Sequence, residues 1–276
     1  MNKINLQNIT RPLVMGILNV TPDSFSDGGR FANFDMALQQ TELMLQQGAD
    51  IIDIGGESTR PGAPEVPMEQ ELDRVIPVIE AIKSRFGCAV SLDTSKAQVM
   101  QAGITAGVDL INDVCGLEGE GVLQVIAESD VPVCIMHMQG SPRTMQKNPQ
   151  YSNLVNDIMA YFSERIDHCD TLGIDKSRII IDPGFGFGKT LKHNYQLLAE
   201  LEKFKQLECP VLVGLSRKSM IGNLLELDID KRLAGSIAAA TLALNNGADI
   251  VRVHDVEETK HAVRIFNAMK YGVENE

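Results

Sequence analysis

What most constrains this chain is one alternation repeated along its whole length. Short runs rich in Val and Ile predict strands at 13–20, 51–54, 89–92, 110–112, 131–136, 179–181, 211–213 and 250–253. Between them, apolar residues at helical spacing predict helices at 34–47, 68–85, 97–106, 123–129, 153–172, 191–204, 231–245 and 257–271. Strands that are continuously apolar are buried on both faces, and alternation with helices implies parallel pairing. Four helices close on one kind of junction, "QQGADIIDI", "TAGVDLIND", "TLGIDKSRIII" and "NNGADIVRV", with a glycine suited to the position after the last helical turn. No Pro/Gly/Ser-rich linker divides the chain. Eight βα units in 276 residues predict a single-domain (β/α)8 TIM barrel, with a doubly wound open sheet as the alternative.

Composition narrows the function. Hydrophobic content of 44% with 22% charged residues describes a globular chain with a substantial core. There is no apolar stretch of about 18 residues to cross a membrane, and no secretory leader at the N-terminus, so a cytoplasmic location is expected. The five cysteines are scattered and odd in number, without a C-x-x-C pair, which argues against a disulfide framework and a zinc cluster. A net charge of −12, from 37 acidic and 25 basic residues, excludes a general nucleic-acid binder. It does not exclude a small anionic substrate held by a local basic cluster.

The first polar residues after the apolar runs are Asn19, Asp53, Asp93, Asn112, His137, Asp182, Ser216 with Arg217 and Lys218, and Arg252 with His254. In a barrel these lie on the C-terminal face, where the βα loops build the active site. One such Asp often caps the next helix; a polar residue after every strand points to one shared cleft. The loops "NVTPDSFSDGGRF" and "DIGGESTRPGAPEV" are too long and polar for minimal βα turns and read as flaps over that cleft. Arg252 and His254 are two apart, so on a strand they face the same side and can grip an anion. Asp255 as N-cap with Glu258 three residues on has capping-box spacing. The amides that follow would add to a phosphate site at strands 7 and 8. His137 reads equally as a structural histidine and as a ligand.

The segment "DPGFGFGKT", 182–190, ends like a phosphate-binding P-loop. That motif needs a glycine five residues before Gly188, where this chain has Pro183, which lacks an N–H and has a fixed φ. The P-loop reading is rejected. The glycines instead predict a backbone passing close beneath a flat heterocycle, with Phe187 beside it and Asp182 in the barrel mouth.

The blocks "NVTPDSFSDGG", "DIGGESTRPGA", "SLDTSKA", "INDVCG", "MHMQGSPRTMQ", "DPGFGFGK", "LVGLSRKSMIG" and "RVHDV" occur in order from residue 19 to 256. Together they resemble the dihydropteroate synthases, a pterin-binding family of bacterial folate biosynthesis. The resemblance implies a (β/α)8 barrel, a homodimer, a need for Mg2+, and a transferase reaction. In that reaction the amine of 4-aminobenzoate displaces pyrophosphate from 6-hydroxymethyl-7,8-dihydropterin diphosphate to give 7,8-dihydropteroate, and sulfonamides compete at the aminobenzoate site.

Carried onto this chain, the resemblance implies a pterin pocket of Asp93, Asn112, Met136, Asp182, Phe187, Gly214 and Lys218. A carboxylate such as Asp182 suits the guanidine-like N–H pair of the ring. Thr59, Arg60, Pro61 and Ser219 would receive 4-aminobenzoate, its carboxylate meeting Ser219 and the start of a short helix near Arg217. Asn19 would contact Mg2+ and, with Arg252 and His254, the pyrophosphate. Arg252, His254, Lys218 and Asn19 are the catalytic candidates, and a dissociative displacement is expected, with leaving-group stabilisation its largest contribution. Two rival readings are a corrinoid-dependent methyltransferase on a similar barrel, which has no use for "STRPG" or a diphosphate grip, and a pterin-sequestering barrel without catalysis.

Overall fold

The computed structural model describes residues 9–21, 29–58, 63–140 and 144–273, with 29–32 described by backbone alone. Eight parallel strands are present: β1 (Leu13–Asn19), β2 (Ile51–Gly55), β3 (Ala89–Asp93), β4 (Leu110–Asp113), β5 (Val133–Met136), β6 (Ile179–Asp182), β7 (Leu212–Gly214) and β8 (Ile250–Val253). Their order is β6-β5-β4-β3-β2-β1-β8-β7. The two ends meet through a parallel bridge between Ile181 and Val211, where Ile181 N–H also donates to Pro210 O at 3.0 Å. The sheet therefore closes into the expected barrel, and the open-sheet alternative falls.

The outer helices are α1 (Gly29–Gln46), α2 (Met68–Phe86), α3 (Ala97–Thr105), α4 (Val122–Ala127), α5 (Leu154–Thr171), α6 (Leu191–Ala199), α7 (Ser219–Leu225), α8 (Leu233–Asn245) and α9 (Val256–Tyr271). The helix expected over 191–204 is interrupted: α6 stops at Ala199 and 3-10 turns follow at Leu201–Leu207. Buried Leu201 and Phe204 are three apart, a spacing that stacks on one face of a helix with three residues per turn. Among the described residues no helix is long and apolar enough to cross a membrane.

The side-chain period of two divides each strand between two cores. Residues such as Ile52, Ile54, Val90, Leu92, Ile111 and Val251 point outward into the layer packed by the helices. The opposite set, Met15, Ile51, Leu110, Cys134, Ile180, Leu212 and Ile250, fills the barrel interior. Two residues further along each of these strands, on the same inward side, stand Ile17, Asp53, Asn112, Met136, Asp182, Gly214 and Arg252. An apolar plug thus closes the bottom, and polar groups occupy the layer above it.

The repeated junctions serve the bottom face. Gly48, Gly107, Gly173 and Gly247 all have positive φ, as a helix-terminating position requires. In three junctions the following Asp accepts a backbone amide at the start of a neighbouring strand or just before it: Asp50 from Val14 N at 2.8 Å, Asp109 from Val90 N at 2.8 Å and Asp249 from Val211 N at 2.7 Å. Each also pairs with a lysine, respectively Lys260, Lys83 and Lys205. Asp175 instead accepts from Ser177 N at 2.7 Å and starts a 3-10 turn.

Candidate active site

The mouth of the barrel is organised around Arg252. Its Nε donates to Asp53 Oδ2 at 2.6 Å and its Nη2 to Asp93 Oδ2 at 2.7 Å. Asp53 is fully buried and also receives Asn112 Nδ2 at 3.4 Å. Burial pushes the Asp93 carboxyl up to about 7, with Arg252 opposing and Asp53 adding to the rise. Sequence alone gives Asp53 no role, because it sits inside β2 and its partner lies on β8. Its signal was a lone acid within an otherwise apolar strand, since a buried charge needs a partner.

Asp182 ends β6 and is buried, its Oδ1 accepting from Gly184 N at 2.8 Å. Burial raises its pKa, while Lys218 acts in the opposite direction. Lys218 donates to Phe185 O and sits 4.4 Å from the centre of the Phe187 ring, a cation–π contact. Burial lowers its pKa to about 8, which leaves it a cation at neutral pH. A Cβ on Gly214 would lie 3.9 Å from Lys218 Nζ, so that glycine shares the same wall. Asp93, Asn112, Met136, Asp182, Phe187, Gly214 and Lys218 accordingly surround one mouth.

The basic end is built differently from expectation. Asp255 forms no side-chain cap on α9; Arg217 takes its carboxylate instead, with Nε donating to Oδ2 at 3.0 Å. The expected capping box with Glu258 is therefore absent. A capping box forms at α6, where Thr190 accepts from His193 N at 3.1 Å and His193 returns the contact. Arg217 has a left-handed backbone (φ 57), and Arg232 Nη1 donates to its carbonyl at 3.0 Å. This holds the turn between β7 and α7, from which Lys218 points inward while Ser219 begins α7, exposed. Ser216 Oγ lies 3.0 Å from His254 Nδ1 and accepts His254 N–H at 3.2 Å. These two contacts fix the orientation of the His254 ring.

Asn19 closes β1 next to the acids. A Cβ on Gly55 would lie 3.7 Å from Asn19 Oδ1 and 3.8 Å from Asp93 Oδ2, so both oxygens converge over that glycine. Among the described residues no group of three or more His, Cys, Asp or Glu could hold a metal ion. One amide oxygen beside a carboxylate fits an ion such as Mg2+, which keeps waters and substrate phosphates as its other ligands. Thr59, Arg60 and Pro61 lie outside the described residues. The base of their loop is fixed by Lys96, which pairs with Glu57 and with buried Glu71, and by Arg74, whose Nη1 donates to Gly56 O at 2.7 Å.

His137 resolves as structural. It is buried, edge-on to Tyr161, and its pKa is lowered to about 3 by burial and by Lys189, so it stays neutral. The glycines of 182–190 also serve a contact within the protein. All three have positive φ, and a Cβ on Gly184 or Gly188 would lie 1.9 Å from His137 O or 2.6 Å from Gln139 O. Gly184 and Gly188 thus let the loop after β6 press against the loop after β5, while Gly186 lies beside Lys218, where a Cβ would come 3.3 Å from Cδ.

With this geometry in place, the relatives are informative. The chain matches the pterin binding enzyme family over residues 15–254. It is 52% identical over 261 residues to the dihydropteroate synthase of Haemophilus influenzae, covering 95% of each chain. A Yersinia pestis dihydropteroate synthase solved with a sulfonamide drug superposes with a TM-score of 0.92 at 53% identity, over 96% of each chain. The Xanthomonas albilineans enzyme solved with 4-aminobenzoic acid gives 0.90 at 47% identity, covering 96% of this chain and 95% of that one. The chain belongs to the dihydropteroate synthases, within the pterin-binding enzymes.

Proposed function

We propose that this chain joins 6-hydroxymethyl-7,8-dihydropterin diphosphate to 4-aminobenzoate, releasing pyrophosphate and forming 7,8-dihydropteroate. The observation that carries the reading is the barrel mouth itself, where Asp93, Asn112 and Asp182 meet Lys218, Arg252 and His254 in a member of this family. Asp182, with Oδ1 held by Gly184, offers its other oxygen to the pterin N–H groups, and Asp93 and Asn112 complete the set. Lys218 donates to the acceptor edge of the ring, between Met136 and Phe187. 4-Aminobenzoate is assigned to Thr59, Arg60, Pro61 and Ser219, where sulfonamides compete, in keeping with the ligands of the Xanthomonas and Yersinia enzymes.

Arg252 holds Asp53 and Asp93. When the pterin engages Asp93, Nη2 turns to the diphosphate while Nε stays on Asp53. His254, oriented by Ser216, donates to the same leaving group through Nε2. Asn19 would hold Mg2+, which would supply positive charge to the leaving group. The C–O bond breaks first, the electron-rich ring carries the positive charge, and the neutral aromatic amine then attacks the methylene carbon, its surplus proton passing to the released pyrophosphate. The enzyme works as a homodimer in the cytoplasm; exposed apolar side chains on α8 and α9 and five free cysteines support this placement. Arg252→Ala tests the anion grip: turnover falls about 100-fold or more, with pterin affinity much less affected. Unchanged turnover in that variant would remove Arg252 from the mechanism.

A further inference from the structure

The lysine of "FGFGKT" has no phosphate to hold, yet Lys189 is only 3% exposed. Burial lowers its pKa to about 7, and in either protonation state its buried N–H groups require acceptors. Its Nζ donates to Gly184 O and Phe187 O, each at 3.0 Å, and lies 3.0 Å from His137 Nδ1, with His137 O at 3.5 Å. Because His137 is neutral, Nδ1 can serve as the third acceptor. The first two acceptors belong to the loop after β6, the third to the residue that follows β5.

These acceptors lead to the pterin pocket. Gly184 is held at both ends: its N–H donates to Asp182 Oδ1 at 2.8 Å and its carbonyl accepts from Lys189. Phe187 is held through its carbonyl, and its ring forms the wall beneath Lys218. Other contacts hold this loop independently of the ammonium. Asn194 Oδ1 accepts from Gly186 N at 2.7 Å, and Tyr151 OH donates to Gly188 O at 2.8 Å. Loss of the ammonium therefore alters the local geometry of the pocket without removing the loop.

We infer that Lys189 is a positioning residue of the pterin pocket, locking the loop after β6 to the end of β5 and so setting Asp182 and Phe187 for the ring. This rests on reading that pocket as the pterin seat. It assigns selectivity for one of the two substrates to a side chain that touches neither.

Lys189→Met keeps the stem and removes the donors. Binding of the dihydropterin diphosphate is titrated without 4-aminobenzoate, and both KM values and kcat are taken from pyrophosphate release. The pterin Kd and KM should rise about tenfold or more, while the aminobenzoate KM stays within about threefold. A pterin Kd within about twofold of the parent, or equal rises in both KM values, overturns the assignment. His137→Leu, which removes one acceptor, should weaken pterin binding about threefold or more, and His137→Asn, whose amide oxygen can replace Nδ1, should restore it. If Lys189→Met fails to fold, the His137 pair decides: parental binding in both variants overturns the inference. A parent that binds the pterin but releases no pyrophosphate sinks the condensation reading alone, because the titration stands apart from turnover.

Discussion

Arg252 and Asp53 are 199 residues apart and meet at 2.6 Å, one half of a shared charge system with Asp93. Removing one member of a buried pair is costly because the other is left uncompensated. Here the loss is graded: in Asp53→Ala, Arg252 retains only Asp93, the group that the pterin also requires. Steady-state kinetics should show kcat/KM for the pterin falling roughly 10- to 100-fold. Parental kinetics in Asp53→Ala would mean that Asp93 alone positions the guanidinium. His137 gives a stability prediction. Its folded pKa of about 3 lies below the ordinary value of 6.5, so between those values the unfolded chain binds the extra proton. Its contribution is complete above pH 6.5 and is lost as pH falls toward 3. Urea unfolding at pH 7, 6, 5 and 4 should show the parent losing about 1 kcal/mol more per pH unit than His137→Asn. Parallel curves would show that His137 is protonated in the folded protein.

At the scale of elements, strands and helices were legible because period two and period 3.6 are written in apolar residues. Strand ends fell within about two residues of expectation. The repeated Gly-Asp junction was visible too, but its purpose was not, since each Asp serves a neighbouring strand. Asp109→Ala leaves the Val90 amide without its acceptor and Lys83 without its carboxylate, far from the barrel mouth. A loss of about 1–3 kcal/mol in urea unfolding is expected, with kcat and both KM values unchanged. A large kinetic effect would contradict the division between a stabilising bottom and a reactive top. The misread cap on α9 has a plain cause: sequence spacing allowed Asp255 to cap its own helix, and Arg217, 38 residues earlier in the chain, takes the carboxylate instead. Two of the three glycines of the β6 loop, Gly184 and Gly188, have protein backbone as close neighbours, a contact with the β5 loop that local sequence does not show.

Across the whole molecule, a chain of net charge −12 concentrates Lys218, Arg252 and His254 at one end of its barrel. The residue types and order of that site were readable because parallel strands bring all their C-terminal ends to one face. Which acid holds which base was not, because that depends on the closure of the barrel. On the outside, Leu242 on α8 and Ile265 and Met269 on α9 are 54%, 70% and 65% exposed, a face suited to the proposed homodimer. Ile265→Glu should shift sedimentation toward the monomer; an unchanged dimer would place the interface elsewhere. The central claim is tested most directly by mixing the protein with 6-hydroxymethyl-7,8-dihydropterin diphosphate and Mg2+, and following pyrophosphate with and without 4-aminobenzoate. The account predicts release that depends on 4-aminobenzoate, with 7,8-dihydropteroate formed in equal amount. Pterin binding with no such release would contradict it and leave a barrel that only holds the ring.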